Sequence, residues 1–295
     1  MSTPPCAPGS DARIDLHAHS TWSDGTCSVP ELFAQARAAQ LDVLALTDHD
    51  TVRGWAELPA AVAASGVVAV PGIEVSAEHD DLSVHVLALL VDPSESTELA
   101  SELAQARRSR GERAQRMVEL ISQDHPITWQ DVLDQVGDND TTIGRPHIAD
   151  ALVAAGIVPD RSAAFHTLLR SDSPYYVRHY APSPGRAVEV IVRAGGAAIA
   201  AHPASGMRGT AVPHDLLHEM IDAGLAGIEV DHREHDEAAR AELRALADRE
   251  GLLVTGGSDY HGSGKPNRLG EHLTGGEVLD TLLALARSTT EVILP

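Results

Sequence analysis

Three side chains able to hold a metal ion, His17, His19 and Asp24, fall within eight residues of one another in the segment RIDLHAHSTWSDG, Arg13 to Gly25. Residues two apart on a β-strand project from the same face. His17 and His19, at the end of the apolar alternation Ile14-Asp15-Leu16, can therefore present both imidazoles to one ion. Asp24, just before the turn-forming Gly25, can return from the loop to join them. An isolated HxH pair is more often packing than chemistry, but this pair is not isolated. Asp48-His49 in LALTDHD, Glu74 in VPGIEV, His85 in SVHVLAL, His202 in AIAAHP and Asp259-x-His261 in TGGSDYHG follow, each at one end of a run that reads as a strand. Imidazoles mixed with carboxylates suit Mn, Fe or Zn better than Mg, which prefers oxygen ligands and keeps its waters. A carboxylate such as Glu74 could give one oxygen to each of two ions and hold them about 3.5 to 4 Å apart, the separation used in two-metal phosphoryl chemistry. Asp48, adjacent to His49, reads as a loop-capping or supporting residue rather than a ligand.

Such residues meet only if the elements between them return the chain to one rim. From Arg13 onward, short β-branched or Leu-rich runs alternate with Ala-rich amphipathic runs, the pattern of a parallel α/β sheet or barrel. Seven strands are expected near 13–19, 42–48, 67–74, 83–91, 197–202, 226–231 and 252–258, with helices near 28–40, 52–64, 183–194, 212–223, 235–250 and 275–287. In α/β barrels catalytic groups gather where strands end and loops converge. One connection breaks the pattern. SAEHDDLS, only eight residues after Glu74, is too short for a parallel crossover, so the following strand should run antiparallel. That reversal places His85, near its start, at the same rim as Glu74. Between about Ser94 and Pro182 the strands stop. A long charged run from Glu95 to Gln123 and segments at 128–136, 145–155 and 160–170 carry apolar faces at helical spacing through Val118, Leu120, Ile121, Val132, Leu133, Ile148 and Leu152. The expected architecture is a distorted (β/α)7 barrel with an inserted helical cap: a mobile leader at 1–12, barrel at 13–93 and 183–295, and cap at 94–182.

Taken in order, HxH, TDH, a single Glu, a single His, HP and DxH resemble the strand-end motifs of the PHP (polymerase and histidinol phosphatase) superfamily, over nearly the whole chain. The SDG loop after HxH, Arg145-Pro146-His147 in the inserted segment and SDYHG near the end resemble its nucleotide-phosphatase branch. The resemblance implies three divalent ions, with Mn indicated. The first would be held by His17, His19, Glu74 and Asp259, the second by Glu74, His85 and His202, and the third by Asp24, His49 and His261. It implies a metal-dependent phosphomonoesterase acting on a small nucleotide, such as a nucleoside 3',5'-bisphosphate or a short oligonucleotide end. Glu74, Asp259 and His261 would stand at the reacting centre, and either Asp259 or a neighbouring His would protonate the leaving oxygen. The alternatives are a histidinol phosphatase and a PHP module that binds metal or a partner without turnover; all nine ligands being present argues against the latter.

A phosphate also needs donors, and Arg145, His147, Arg208 and Lys265 are the candidates. Pro146 at a helix start would put Arg145 beside free backbone N–H groups that favour anions. Asp231, at the end of the sixth expected strand, could contact substrate. His232 and His235 fall in the acidic run DHREHDEAARAELRALADRE and read as a solvated helix face. The chain of 295 residues carries 22 Lys and Arg against 43 Asp and Glu, a net charge of −21 that disfavours long nucleic acid as a partner. Two cysteines, Cys6 and Cys27, cannot make a disulfide framework. With neither a signal-peptide pattern nor a run of the ~20 apolar residues a membrane span needs, the cytoplasm is the expected compartment. No Walker P-loop, GxSxG elbow or CxxC pair competes for the function.

Overall fold

Apolar runs too short to bury themselves alone assemble here into one sheet whose strands are neighbours in space in the order in which they occur in sequence. The computed structural model describes residues 11–80, 82–136, 141–205 and 211–295. The strands are β1 (Ile14–Asp15), β2 (Val43–Leu46), β3 (Val68–His79), β4 (Leu82–Leu89), β5 (Ala197–Ala201), β6 (Gly227–Asp231) and β7 (Leu253–Gly256). Pairing is parallel except around β4, which runs antiparallel to both β3 and β5. The first and last strands approach each other beyond their ends, where Ala18 bridges to Tyr260 and the His19 N–H donates to the Tyr260 carbonyl at 2.9 Å. The sheet is thereby nearly closed into the expected distorted barrel.

The expected reversal at β4 is present, but β3 extends further than expected. Ser76, Ala77, Glu78 and His79 stay in register with His85, Val84, Ser83 and Leu82, so most of SAEHDDLS is strand rather than loop. Antiparallel partners can continue a ladder to a tight turn, which a parallel pair cannot.

Side chains alternate between two apolar layers. Leu87 and Leu89 of β4 join Ile14, Val43, Val70 and Ile199 in an inner cluster, together with Leu279 and Leu282 from the last helix, whereas Val84, Val86 and Ala88 face the outer helices. Those helices are α1 (Val29–Ala38), α2 (Leu58–Ser65), α3 (Glu98–Ile121), α4 (Trp129–Leu133), α5 (Arg145–Ala154), α6 (Arg161–His166), α7 (Pro184–Arg193), α8 (His214–Asp222), α9 (Glu237–Glu250) and α10 (Gly276–Leu285). Helix α1 starts with a reciprocal Ser28–Glu31 cap and Pro30 in its first turn, which fixes where the loop from β1 must end. The second half of α3 shares an apolar cluster with α4, α5 and α6, built from Met117, Val118, Ile121, Val132, Ile148 and Leu152 among others. These helices thus carry a core of their own.

Truncating the inner layer should be costly. Leu87→Ala is expected to lower unfolding stability by about 2–5 kcal/mol in a denaturant titration, because the closed sheet cannot collapse onto the vacated volume.

Candidate metal centre

Glu74, on β3, is fully buried, and its two carboxylate oxygens face different histidines. Oε2 lies 3.2 Å from His17 Nε2, 3.0 Å from His19 Nε2 and 3.3 Å from His49 Nδ1. Oε1 lies 3.0 Å from His202 Nε2 and contacts His85 Nδ1. Antiparallel β4 makes the last contact possible, since it brings His85 to the rim where the parallel strands end. His202 and Asp259 have positive φ values of 31° and 51°, a costly backbone for non-glycine residues that is typical of functional sites. After Ala201 on the inner face, strict alternation would send His202 outward, yet its ring turns to Glu74.

A second carboxylate, Asp24, has its Oδ1 3.1 Å from His261 Nε2 and its Oδ2 3.8 Å from His49 Nε2. Asp259 Oδ1 lies 3.5 Å from both His17 Nε2 and His19 Nε2. All nine candidate ligands are brought together. Three groups have ligand atoms within 4.8 Å of one another: His19, Asp24, His49 and His261; His17, Glu74, His202 and Asp259; and His49, Glu74 and His85. This partition differs from the one implied by resemblance, because His202 sits with His17, and His49 is shared between two groups.

Whether the residues suit cations can be tested on their unsatisfied atoms. His17 Nε2, His19 Nε2, Asp24 Oδ1, His49 Nδ1, Glu74 Oε2, Asp259 Oδ1 and His261 Nε2 are all buried without a hydrogen-bond partner. Buried polar atoms are rarely left so, and these converge, so the donor set fits divalent ions. The electrostatics agree. Burial opposes ionisation of Glu74, but His85, His49 and His17 outweigh it and hold its pKa well below the usual carboxylate range. For His19, burial disfavours the imidazolium, yet the adjacent Asp259 and Glu74 carboxylates raise its pKa to about 9. Without a cation, protons on histidine neutralise the carboxylates.

The supporting residues are as ordered as the ligands. Asp48 accepts from the Ser20 N–H at 2.8 Å and from the Ser20 and Ser23 hydroxyls at 2.7 Å each, so it braces the loop that carries Asp24, as expected of a loop-capping residue. The inserted segment grips the same loop from outside, through the connection before α5 and through α6. The Thr141 hydroxyl donates to the Thr21 carbonyl at 3.0 Å, the Thr142 N–H to that of Trp22 at 3.1 Å, and Arg161 Nη1 to that of Asp24 at 3.3 Å. His147, expected near phosphate, is buried in α5, where its Nδ1 accepts the Gly144 N–H at 3.1 Å. Lys265 donates to Asp259 Oδ2 at 2.6 Å. Arg145 donates to the Leu169 carbonyl at 3.1 Å and lies over the Phe165 and Tyr176 rings. Arg208 lies outside the described residues. Asp231 turns away from the rim to pair with Arg244 at 2.5 Å.

Two expectations are corrected. His232 and His235 are not on a solvated face: both are buried in the turn before α9, which begins only at Glu237. His235 spends both nitrogens on the backbone, donating to the Val230 carbonyl at 2.9 Å and accepting the Ala204 N–H at 3.2 Å. His232 Nε2 points into the centre, 3.8 Å from Asp259 Oδ2. Sequence reasoning also passed over Arg110, Arg113 and His179. Arg113 is buried with Nε and Nη2 unpartnered. Its only signal in sequence was membership of a charged helix, which does not distinguish an inward arginine from a solvated one.

A nearly closed α/β barrel whose strand-end rim gathers imidazoles around a shared buried carboxylate defines a metal-dependent hydrolase. The PHP domain matches residues 15–155, and the chain belongs to that family. It is 37% identical over 257 residues to the 3',5'-nucleoside bisphosphate phosphatase of Chromobacterium violaceum, covering 87% of this chain and 90% of that protein. It is 34% identical over 254 residues to the phosphoribosyl 1,2-cyclic phosphate 1,2-diphosphodiesterase of Eggerthella lenta, covering 84% and 94%. A solved structure from Bifidobacterium adolescentis, provisionally assigned as a metal-dependent phosphoesterase, superposes with a TM-score of 0.91 at 43% identity over 95% of this chain and 98% of that one.

Glu74→Gln should abolish activity and lower metal content by more than one ion per chain, because both oxygens serve; full occupancy by elemental analysis would refute a bridging role. Metal uptake should also displace the His19 proton, so Mn affinity in calorimetric titrations should rise with pH up to about 9. The stability of the metal-free fold should move the other way. The folded pKa lies above the ordinary 6.5, so the protonated ring stabilises fully below pH 6.5, and that contribution is lost as pH rises to about 9.

Proposed function

We propose that the chain is a metal-dependent phosphomonoesterase that hydrolyses a small nucleotide, most naturally a nucleoside 3',5'-bisphosphate or a short oligonucleotide end, in the cytoplasm. One phosphate would sit at the Glu74 centre and the rest of the substrate under a cap formed by residues 94–182. The observation that carries this reading is a second electropositive site beside the first. Arg110, Arg113 and Arg145 surround His179: burial and then Arg113, Arg110, Arg145 and His85 push its imidazole down to about 3, so it stays neutral. Burial, then the neighbouring Arg145, lowers the Arg113 pKa to about 9. Arg110 already pairs with Asp50 at 3.1 Å, so it is Arg113, beside Arg145 and with its buried Nε and Nη2 unpartnered, that calls for an anion. Arg110 contacts the Ser76 hydroxyl, and Ser76 pairs with His85 across β3 and β4, so the cluster adjoins the metal centre. The similarity to a bisphosphate phosphatase, covering most of both chains, supports the same substrate class.

Bound divalent ions, with Mn as the proposed metal and Fe or Zn as alternatives, would supply Lewis acidity and lower the pKa of water. The three groups of ligands suggest three such ions. His17, His19, Asp24, His49, Glu74, His85, His202, Asp259 and His261 would hold them. The chain's own part is then to orient the ester and manage a proton. Arg113 and Arg145 would fix the second phosphate, setting the direction from which the first meets the rim. Of the imidazoles neighbouring Asp259, His232 is outside the three ligand groups, and its Nε2 is placed to hand a proton to the leaving oxygen.

Arg145→Ala and Arg113→Met should each lower kcat/KM for adenosine 3',5'-bisphosphate about 10- to 100-fold, the worth of a charge-assisted hydrogen bond to phosphate. Metal content should not change, and a single-phosphate ester should respond far less. Phosphate release from a panel of bisphosphates, AMP, cyclic phosphates and histidinol phosphate, with added Mn, tests the class directly. The 3' phosphate of the bisphosphate is expected to leave. A preference for histidinol phosphate, or no release from any ester by metal-loaded protein, would overturn the assignment.

A further inference from the structure

Every strand except β6 carries at least one of the nine candidate ligands or is followed by one within three residues. What β6 carries to the centre is Glu229, buried to 1% exposure, which belongs to none of the three ligand groups. Its Oε1 accepts from His17 Nδ1 at 3.0 Å, and its Oε2 accepts the backbone N–H of His202 at 2.9 Å. These partners lie in segments following β1 and β5, and both rings reach Glu74, one at each of its oxygens. The approach is close enough to forbid a side chain at residue 257. A Cβ on Gly257 would stand 2.5 Å from His17 Cβ and collide with Glu229 Oε1.

We propose that Glu229 is a positioning residue for the metal pair at Glu74, presetting His17 through its tautomer and His202 through its backbone. This inference rests on the metal-centre reading above but needs no particular substrate. With Nδ1–H tied to a carboxylate, His17 presents the lone pair of Nε2 towards Glu74, and that atom has no other partner. With its N–H accepted by the other oxygen, His202 is held at φ 31°, a backbone that a non-glycine residue keeps only where its surroundings fix it. One carboxylate therefore serves both, and an amide cannot. Glutamine has a single acceptor, so its NH2 group must oppose either the His202 N–H or the Nδ1–H tautomer of His17.

The experiment is a Mn titration of wild-type and Glu229→Gln protein by calorimetry, with the melting temperature of the metal-free proteins as a control for folding. Mn should bind the variant about 10- to 100-fold more weakly. Excess Mn should restore kcat with little change in KM. Equal Mn affinity in the two proteins would overturn the inference and leave the metal centre standing, whereas failure of wild type to bind Mn would overturn both. A second measurement needs no variant. In zinc-loaded wild-type protein with 15N-labelled histidine, His17 should show a protonated Nδ1 and a ligated Nε2; a ligated Nδ1 would sink the proposal even if Glu229→Gln fails to fold.

Discussion

A buried carboxylate with five imidazoles within reach, Glu74, is the constraint from which the rest of the architecture can be understood. An ionised carboxylate taken out of water is expensive unless cations surround it. The imidazoles can balance it by taking up protons, which the raised pKa values of His17 and His19 favour, or by sharing metal ions with it. Every requirement on the barrel follows. Strands must deliver ligands to one rim, one strand must reverse so that its start meets the ends of its neighbours, and the sheet must almost close so that β1 and β7 contribute to the same cluster.

Around that centre, charges alternate with depth. Imidazoles touch Glu74, and carboxylates stand behind them: Glu229 behind His17, and Asp48 behind the serines beside His19. Asp259 is itself backed by Lys265. His17, His19 and Asp259 are therefore each held by a group of opposite or complementary polarity, which reduces the reorganisation that binding an ion would require. Part of the net charge of −21 is buried in this arrangement, on Asp24, Asp48, Glu74, Glu229 and Asp259.

Much of this was legible because strand ends concentrate ligands and because a short connection forbids a parallel crossover. Those two facts place His17, His19, Glu74 and His85 without coordinates. What stayed hidden depends on the backbone leaving its periodic path. The bend at β1 moves Leu16 and Ala18 into different apolar layers, and the left-handed residues His202 and Asp259 re-aim side chains that alternation would misplace. His232 and His235 looked solvated because their neighbours are acidic, but the helix begins later than the charge pattern suggests. Glu229 is one polar residue in a strand of mostly apolar ones, and Arg113 is one arginine among several on a long helix. Composition does not reveal which member of a charged run turns inward.

The loop from Thr21 to Asp24 is held on its inner side by Asp48 and on its outer side by Thr141, Thr142 and Arg161. It works as a clutch plate between two bodies with separate cores. Any swing of the helices that admits a bulky molecule must slip these three backbone contacts or drag the Asp24 peptide with them. Displacement of the inserted segment and displacement of the Asp24 backbone are thereby geared together.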